Sequence, residues 1–319
     1  MEQRQRQPTP QSRRMDLLGV HSLDHFCVAV PDLQVAQGFY NNFGLTAAAQ
    51  GGELAVFDSS REHRWGRIVE GPRKQLQYVS FGAFPDELPR FAQRVRQRGI
   101  ERLPAPPGLD DDSIWLKSPQ GHLVEIRATA EKVSPNEPSQ FVVEPPASPT
   151  RGTCRRSEAA RVYPRRLSHV ALYTSDVSGS IDFFRDILGL RLSDRSLDIV
   201  AFMHGVHGSD HHMIALVTSP GPGFHHCSWD VGSVQDVGLG AAQMAMTGYA
   251  AGWGFGRHVL GSNYFHYVRD PWGSYCEYSA GMDYVPCGVD WQPTDSPPED
   301  SMFLWGPAPP QDFVTNFEL

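Results

Sequence analysis

Leu23-Asp24-His25-Phe26-Cys27-Val28-Ala29-Val30 and Leu167-Ser168-His169-Val170-Ala171-Leu172-Tyr173-Thr174 are two versions of one pattern, a mainly apolar run with a histidine at its third position. Each reads as a strand. Seven residues after each histidine comes an Asp (Asp32, Asp176), then an aromatic pair (Phe39-Tyr40, Phe183-Phe184) and a Gly-Leu step (Gly44-Leu45, Gly189-Leu190). That order predicts a helix beginning near the Asp and stopped by the Gly. The copies also end alike. Ser118-Pro119-Gln120-Gly121-His122-Leu123-Val124-Glu125-Ile126 matches Asp270-Pro271-Trp272-Gly273-Ser274-Tyr275-Cys276-Glu277-Tyr278, so in both a Pro-x-Gly turn leads into a strand carrying a Glu.

The repeat divides the chain. A tail over residues 1–17 precedes an N-terminal module, 18–130; a Pro- and Ser-rich linker, 131–163, leads to a second module, 164–282; a Pro- and Trp-containing extension, 283–319, closes the sequence. The tail is rich in Gln, Arg and Pro, reads as flexible, and lacks the apolar stretch of a secretory signal.

Laid on one another, the copies pair His169 with His25, Glu277 with Glu125, and His226 with Tyr78. His226 lies in a strand-like run, His225-His226-Cys227-Ser228-Trp229-Asp230-Val231. The second module therefore holds two imidazoles and a carboxylate on three strands, a set suited to a divalent metal with open coordination positions. The first module has a phenol where the second imidazole would be. His25 and Glu125 there read as a hydrogen-bonded core pair left by duplication, and the module as structural. Gly208-Ser209-Asp210-His211-His212-Met213-Ile214-Ala215-Leu216 reads as a further strand opening with histidines. Neighbouring strand residues face opposite ways, so only one of His211 and His212, and only one of His225 and His226, is expected to face a cavity. Periodicity leaves open which one. His204, His207, His211, His225 and His266 are set aside as bystanders, with His204 or His266 as candidates for a cavity mouth.

Composition narrows the class. With 40% hydrophobic and 20% charged residues the chain reads as globular, and a net charge of -8 offers no surface for nucleic acid or an anionic membrane. No apolar run reaches the roughly 18 residues that a membrane span needs. The five cysteines, Cys27, Cys154, Cys227, Cys276 and Cys287, are odd in number and show no CxxC spacing. Free thiols in a reducing cytoplasm are the expectation.

From Gly256 to Glu277 the chain resembles the signature of the type I extradiol ring-cleaving dioxygenases of the vicinal-oxygen-chelate superfamily. That signature runs Gly-x-His, five to seven residues, an apolar residue, Tyr, two residues, an acidic or small residue, Pro-x-Gly, two or three residues, Glu. Gly256, His258, Tyr267, Asp270, Pro271, Gly273 and Glu277 supply it; His266 departs from it at the apolar position. The resemblance covers both modules. It implies an α+β fold of paired βαβββ units, two per module, with metal only in the C-terminal one. It implies His169, His226 and Glu277 as ligands of Fe(II), with Mn(II) also accepted by that set. In the family an acid–base histidine stands about 14 residues before the second ligand, on a strand reading His-x-apolar-Ala-apolar. Here that is His212, and the same comparison selects His226 over His225. His258 and Tyr267 match residues that hydrogen-bond the two oxygens of a catechol. The implied partners are a catecholic substrate and O2, and the expected assembly is a homo-oligomer. The same scaffold also carries glyoxalase-like metalloisomerases and non-catalytic small-molecule-binding proteins. The His212, His258 and Tyr267 set argues against the first, and the intact ligands against the second.

Overall fold

The computed structural model describes residues 12–109, 112–139 and 149–319. Strand β1 (Ser22–Val30) is followed by α1 (Leu33–Phe43), β2 (Thr46–Gln50), β3 (Glu53–Phe57) and β4 (Arg64–Glu70). The unit then recurs as β5 (Gln75–Ala83), α2 (Leu88–Gln97), β6 (Arg102–Leu103), β7 (Ile114–Lys117) and β8 (Leu123–Ala128). The second half repeats the order: β9 (Arg166–Thr174), α3 (Val177–Asp186), β10 (Arg191–Ser196), β11 (Val200–His204), the short β12 (Ser209–Asp210) and β13 (Ile214–Thr218). Next come β14 (Gly223–Asp230), α4 (Val234–Met246), β15 (Gly252–Arg257), β16 (Tyr264–Arg269) and β17 (Tyr275–Ala280), with β18 (Tyr284–Val285) and β19 (Thr294–Asp295) in the extension. The fold is the expected α+β arrangement of paired βαβββ units.

The helix signals act as predicted. Asp32 Oδ1 accepts the N–H groups of Gln34 and Val35 at 2.8 and 3.0 Å, and Gly44 ends α1 with φ 99°. That left-handed conformation suits glycine, which lacks the Cβ that would clash there. Asp176 Oδ1 accepts the Gly179 N–H at 2.8 Å and starts α3 in the same way.

The two sheets share one scheme. In the first, the order is β2-β3-β4-β1-β5-β8-β7-β6; in the second, β15-β16-β17-β14-β9-β13-β11-β10-β19. At each centre an antiparallel pair (β1 with β5, β9 with β14) is flanked by a parallel strand (β8, β17). The registers coincide as well. His25 pairs with Ser80 and Ser80 with Glu125; His169 pairs with Ser228 and Ser228 with Glu277. Residues opposite each other on neighbouring strands share a face. Each histidine and its distant glutamate therefore stand in one row, separated by a serine.

A continuous apolar core runs through both modules and includes Phe26, Phe43, Phe81, Phe184, Trp229 and Tyr278. Phe43 stacks on Tyr278 with ring centroids 3.8 Å apart, and the Tyr278 hydroxyl donates to the Phe43 carbonyl at 2.7 Å. The modules are joined through shared side chains as well as through the linker. Of the linker, residues 140–148 lie outside the described residues, as do residues 1–11 of the tail. At the end of the tail the chain is already anchored: Arg13 donates to Asp86 at 2.7 Å, and the Arg14 N–H to His207 Nδ1 at 3.0 Å.

Two local expectations change. Residues 211–213 are a bend and not part of a strand: β12 pairs with β18, the His211 N–H donates to the Asp283 carbonyl at 2.7 Å, and the sheet resumes only at Ile214. In β14, Phe224 and His226 oppose the adjacent residues Leu172 and Ala171 of β9. His225 is thus the extra residue of a bulge, which breaks the strict alternation of faces.

Candidate metal centre and active site

Three central strands of the second sheet, β9, β14 and β17, deliver His169, His226 and Glu277 to one point. His169 Nε2 is 3.1 Å from His226 Nε2 and 3.4 Å from Glu277 Oε2, and His226 Nε2 is 3.7 Å from that same oxygen. All three side chains are buried. Ligands at right angles on a metal with bonds of about 2.1 Å lie roughly 3 Å apart, so one cation fits among these atoms.

The electrostatics point the same way. Burial pushes the Glu277 carboxyl up to about 8, and drives His169 and His226 well below the usual imidazole range. Glu277 Oε2 and His169 Nδ1 have no hydrogen-bond partner. An unpaired buried carboxylate oxygen is costly, and a cation facing it removes that cost while favouring the ionised form. Asn263 Nδ2 donates to the other oxygen, Oε1, at 3.2 Å, and to Ser279 Oγ at 2.9 Å. Two imidazoles and one carboxylate leave open positions on Fe(II) or Mn(II), so the residues present fit such a metal.

The same three residues form one end of a cavity whose wall also carries His212, His258 and Tyr267. The His212 ring lies 4.1 Å from that of His169, centroid to centroid. His258 Nε2 is 3.0 Å from the Tyr267 hydroxyl and 3.8 Å from Glu277 Oε1. Its other nitrogen, Nδ1, meets the Met302 carbonyl at 2.7 Å, which fixes Nδ1–H as the donor and leaves Nε2 as the acceptor of the neutral ring. Burial holds His258 down to about 4 and lowers His212 as well, while it raises the Tyr267 phenol. All six predicted site residues come together.

Beyond them the wall is largely apolar, built from Phe202, Val200, Ala215, Val217, Trp253, Leu260 and others, and among the described residues no Lys or Arg lines it. The extension supplies Pro298, Ser301, Met302, Phe313 and Val314 to it. The Trp305–Pro310 run stands behind that wall, where the Pro307 carbonyl accepts from Trp253 Nε1 at 2.7 Å.

Some expectations about bystanders are corrected. His225 lines the cavity beside His226, because the bulge lets both face inward, and its Nδ1 is 2.6 Å from His226 Nδ1. It therefore orients the proposed ligand from behind. Neither His204 nor His266 lines the cavity; His204 Nδ1 is instead bonded to Ser193 Oγ at 2.7 Å. Asn263 was not anticipated, since it falls in the variable gap between His258 and Tyr267, where no periodicity marks it.

In the first module the matching positions serve other ends. His25 meets Asp24 through Nδ1 at 2.7 Å and Tyr78 through Nε2 at 3.1 Å, while Glu125 accepts from Ser80 at 2.6 Å. They are buried but bond to separate partners, and do not form the mutual pair that the repeat suggested. Arg67 donates to Tyr78 at 2.7 Å, so a cation of the protein's own already occupies this neighbourhood.

Residues 166–278 match the model of the Glyoxalase/Bleomycin resistance protein/Dioxygenase superfamily. Over 299 residues, 94% of this chain and 93% of the other, the chain is 48% identical to metapyrocatechase 2 of Cupriavidus necator. Among solved structures, the Mn(II)-bound glyoxalase from Novosphingobium aromaticivorans superposes with a TM-score of 0.75 at 24% identity, covering 92% of this chain and 94% of that one. An extradiol ring-cleaving dioxygenase from Brevibacterium fuscum gives 0.75 at 19% identity, covering 97% and 84%. At such identities these structures speak for the fold alone. The match at 48% over nearly the whole of both chains speaks for the family, and by it this chain belongs to the extradiol ring-cleaving dioxygenases of the vicinal-oxygen-chelate superfamily.

Proposed function

We propose that the chain opens a catechol ring on the bond beside its two hydroxyls, adding both atoms of O2, at one Fe(II) held by His169, His226 and Glu277. The observation that carries this is the convergence of those three ligand atoms in a cavity whose wall also carries His212, His258 and Tyr267 close beside them. A bound Fe(II) would supply a cation that favours the deprotonated catechol and brings the electron-rich ring and O2 together. Mn(II) suits the same donors, and the Mn(II)-bound glyoxalase shares this fold.

The protein's own groups do the rest. The apolar wall receives the ring and excludes water, which strengthens every polar contact inside. Tyr267 donates its hydroxyl hydrogen toward His258 or a catechol oxygen, and the pair sets the orientation of the ring. His212, on the wall beside His169, takes the proton that the catechol gives up on binding and returns one as the O–O bond breaks, work that imidazole performs near neutral pH. The absence of Lys and Arg among the described lining residues favours a catechol without a carboxylate, since such a group would be buried there unpaired.

The five cysteines are free, which suits a reducing compartment such as the cytoplasm. No helix among the described residues is long and apolar enough to cross a membrane. A homo-oligomer is the expected assembly. The test of the activity is direct: metal-free protein is given one equivalent of Fe(II) or of Mn(II), then catechol and air. Oxygen uptake with a yellow ring-cleavage product in the Fe(II) sample supports the assignment. Uptake with Mn(II) alone would reassign the metal, and no uptake with either would overturn the reaction.

A further inference from the structure

Three buried side chains run inward in a line from the edge of the second sheet to the cavity. Asp194 Oδ2 is 2.7 Å from His211 Nε2, and His211 Nδ1 is 3.0 Å from His212 Nδ1. The other oxygen of Asp194, Oδ1, accepts both the N–H and the hydroxyl of Thr294, at 2.7 and 2.5 Å. We propose that Asp194 and His211 are positioning residues that fix the tautomer of His212, so that its Nε2 meets the substrate without a proton. The proposal rests on the role given to His212 above.

Hydrogen-bond polarity carries the argument. An ionised carboxylate only accepts, so the hydrogen between Asp194 and His211 sits on His211 Nε2. In the neutral ring, His211 Nδ1 is then an acceptor, and the hydrogen of the second contact must come from His212 Nδ1. A neutral imidazole carries one N–H, which leaves Nε2 of His212 bare. That nitrogen is the one able to form an N–H bond as a catechol O–H bond breaks. The resulting imidazolium keeps Nδ1–H pointed at His211, and through it at the negative charge of Asp194. The same division of labour, a carboxylate setting the tautomer of a basic histidine, serves other enzymes.

The surroundings favour an ionised Asp194. Burial alone would raise its carboxyl, but the hydrogen bonds from His211 and Thr294 outweigh it and hold the group below the usual range. The extension clamps the line from outside. Thr294 lies on β19, paired in parallel with β10 beside Asp194. The Trp291 ring meets His211 edge-on at 5.5 Å, and its Nε1 donates to the Ser193 carbonyl at 2.9 Å.

Asp194→Asn tests this with almost no change of shape. The Thr294 N–H can only donate, so the amide oxygen of Asn must face it and the amide NH2 must face His211 Nε2. His211 then carries its hydrogen on Nδ1, donates to His212 Nδ1, and forces the hydrogen of His212 onto Nε2. The expected result is a fall in kcat of roughly 10²–10⁴-fold, the scale of a lost acid–base group, with KM for catechol and iron content unchanged. Thr294→Val removes one of the hydrogen bonds to Asp194 but keeps both the carboxylate and the N–H, and is expected to lower kcat far less than Asp194→Asn does. A second readout needs no activity. In 15N spectra of the full chain, labelled at histidine and loaded with diamagnetic Zn(II), His212 is assigned by its loss in His212→Phe. It should be protonated at Nδ1 in the wild type and at Nε2 in Asp194→Asn. Wild-type kcat in Asp194→Asn, equal losses in Asp194→Asn and Thr294→Val, or Nε2 protonation in the wild type would each overturn the proposal. Wild-type turnover in His212→Phe would instead overturn the role of His212, while the spectra still judge the tautomer.

Discussion

His258 Nε2 and the Tyr267 hydroxyl lie 3.0 Å apart beside Glu277, which pairs with Tyr267 on the neighbouring strand, and His258 Nδ1 is held by the Met302 carbonyl of the extension. The tyrosine is therefore the adjustable member of the pair. Tyr267→Phe removes one donor without opening space, and the lost bond to a charged catechol oxygen is worth about 1.5–3 kcal/mol. Catechol kcat/KM should fall by roughly 10–100-fold with iron content constant. Unchanged kinetics across several catechols would reduce Tyr267 to a packing residue.

Glu277→Gln should empty the metal site. The amide keeps the shape of the side chain but supplies no negative charge among two neutral imidazoles, so binding loses its only anionic ligand. Metal analysis of the purified variant should show little iron. A full equivalent would remove Glu277 from the ligand set.

Stoichiometry separates the two modules. One iron per chain is expected, because His25 and Glu125 are engaged by Asp24, Tyr78 and Ser80, with Arg67 nearby. A second equivalent, lost on His25→Ala, would show that the N-terminal module is not silent.

His212→Phe should retain iron and bind catechol yet lose turnover by roughly 10²–10⁴-fold, since the ring lines the cavity but lies outside the ligand triangle. Single-turnover measurements distinguish this from slow product release. Iron loss in this variant would make His212 a ligand.

Glu318, almost at the C-terminus, is buried and accepts from Lys74 at 2.9 Å, from the Phe224 N–H at 3.1 Å and from the Leu76 N–H at 2.9 Å. Phe224 is the second residue of the strand that carries His226, so this clasp ties the end of the chain to both modules. Removing one partner of a buried ion pair costs about 3–5 kcal/mol, and Glu318→Ala should lower the urea midpoint accordingly. An unchanged midpoint would mean that the Lys74 carbonyl and hydroxyl contacts, to Phe224 and Ser274, suffice.

The repeat of histidine, capping Asp, stop Gly and terminal Glu was enough to place its own strands, the two helices after the Asp residues, and His169 and Glu277 as candidate ligands, whereas His226 was selected over His225 only through the family signature. Such features are legible because they depend on local rules: a strand alternates with period two, an Asp caps a helix start, and a duplicated unit keeps its register. His25–Ser80–Glu125 and His169–Ser228–Glu277 occupy equivalent rows for that reason. Residues further from the repeat were legible only through the family signature, as His258 and Tyr267 were.

What tertiary structure decided lies where local rules are overridden by partners distant in the chain. Strand parity excluded one of His225 and His226 from the cavity, but a bulge against β9 turns both inward. A strand through His211 and His212 was expected, but pairing of β12 with β18 bends the chain there and lets His211 reach Asp194. Nothing in the composition of the extension says that it walls the cavity with Phe313 and Met302 or anchors Asp194 through Thr294. The sequence alone determined which residue types recur at which intervals, since those intervals act through bonds and turns close along the backbone. Closure of the site depended on contacts between segments a hundred residues apart, such as Asp194 with Thr294, whose partners only the folded chain selects.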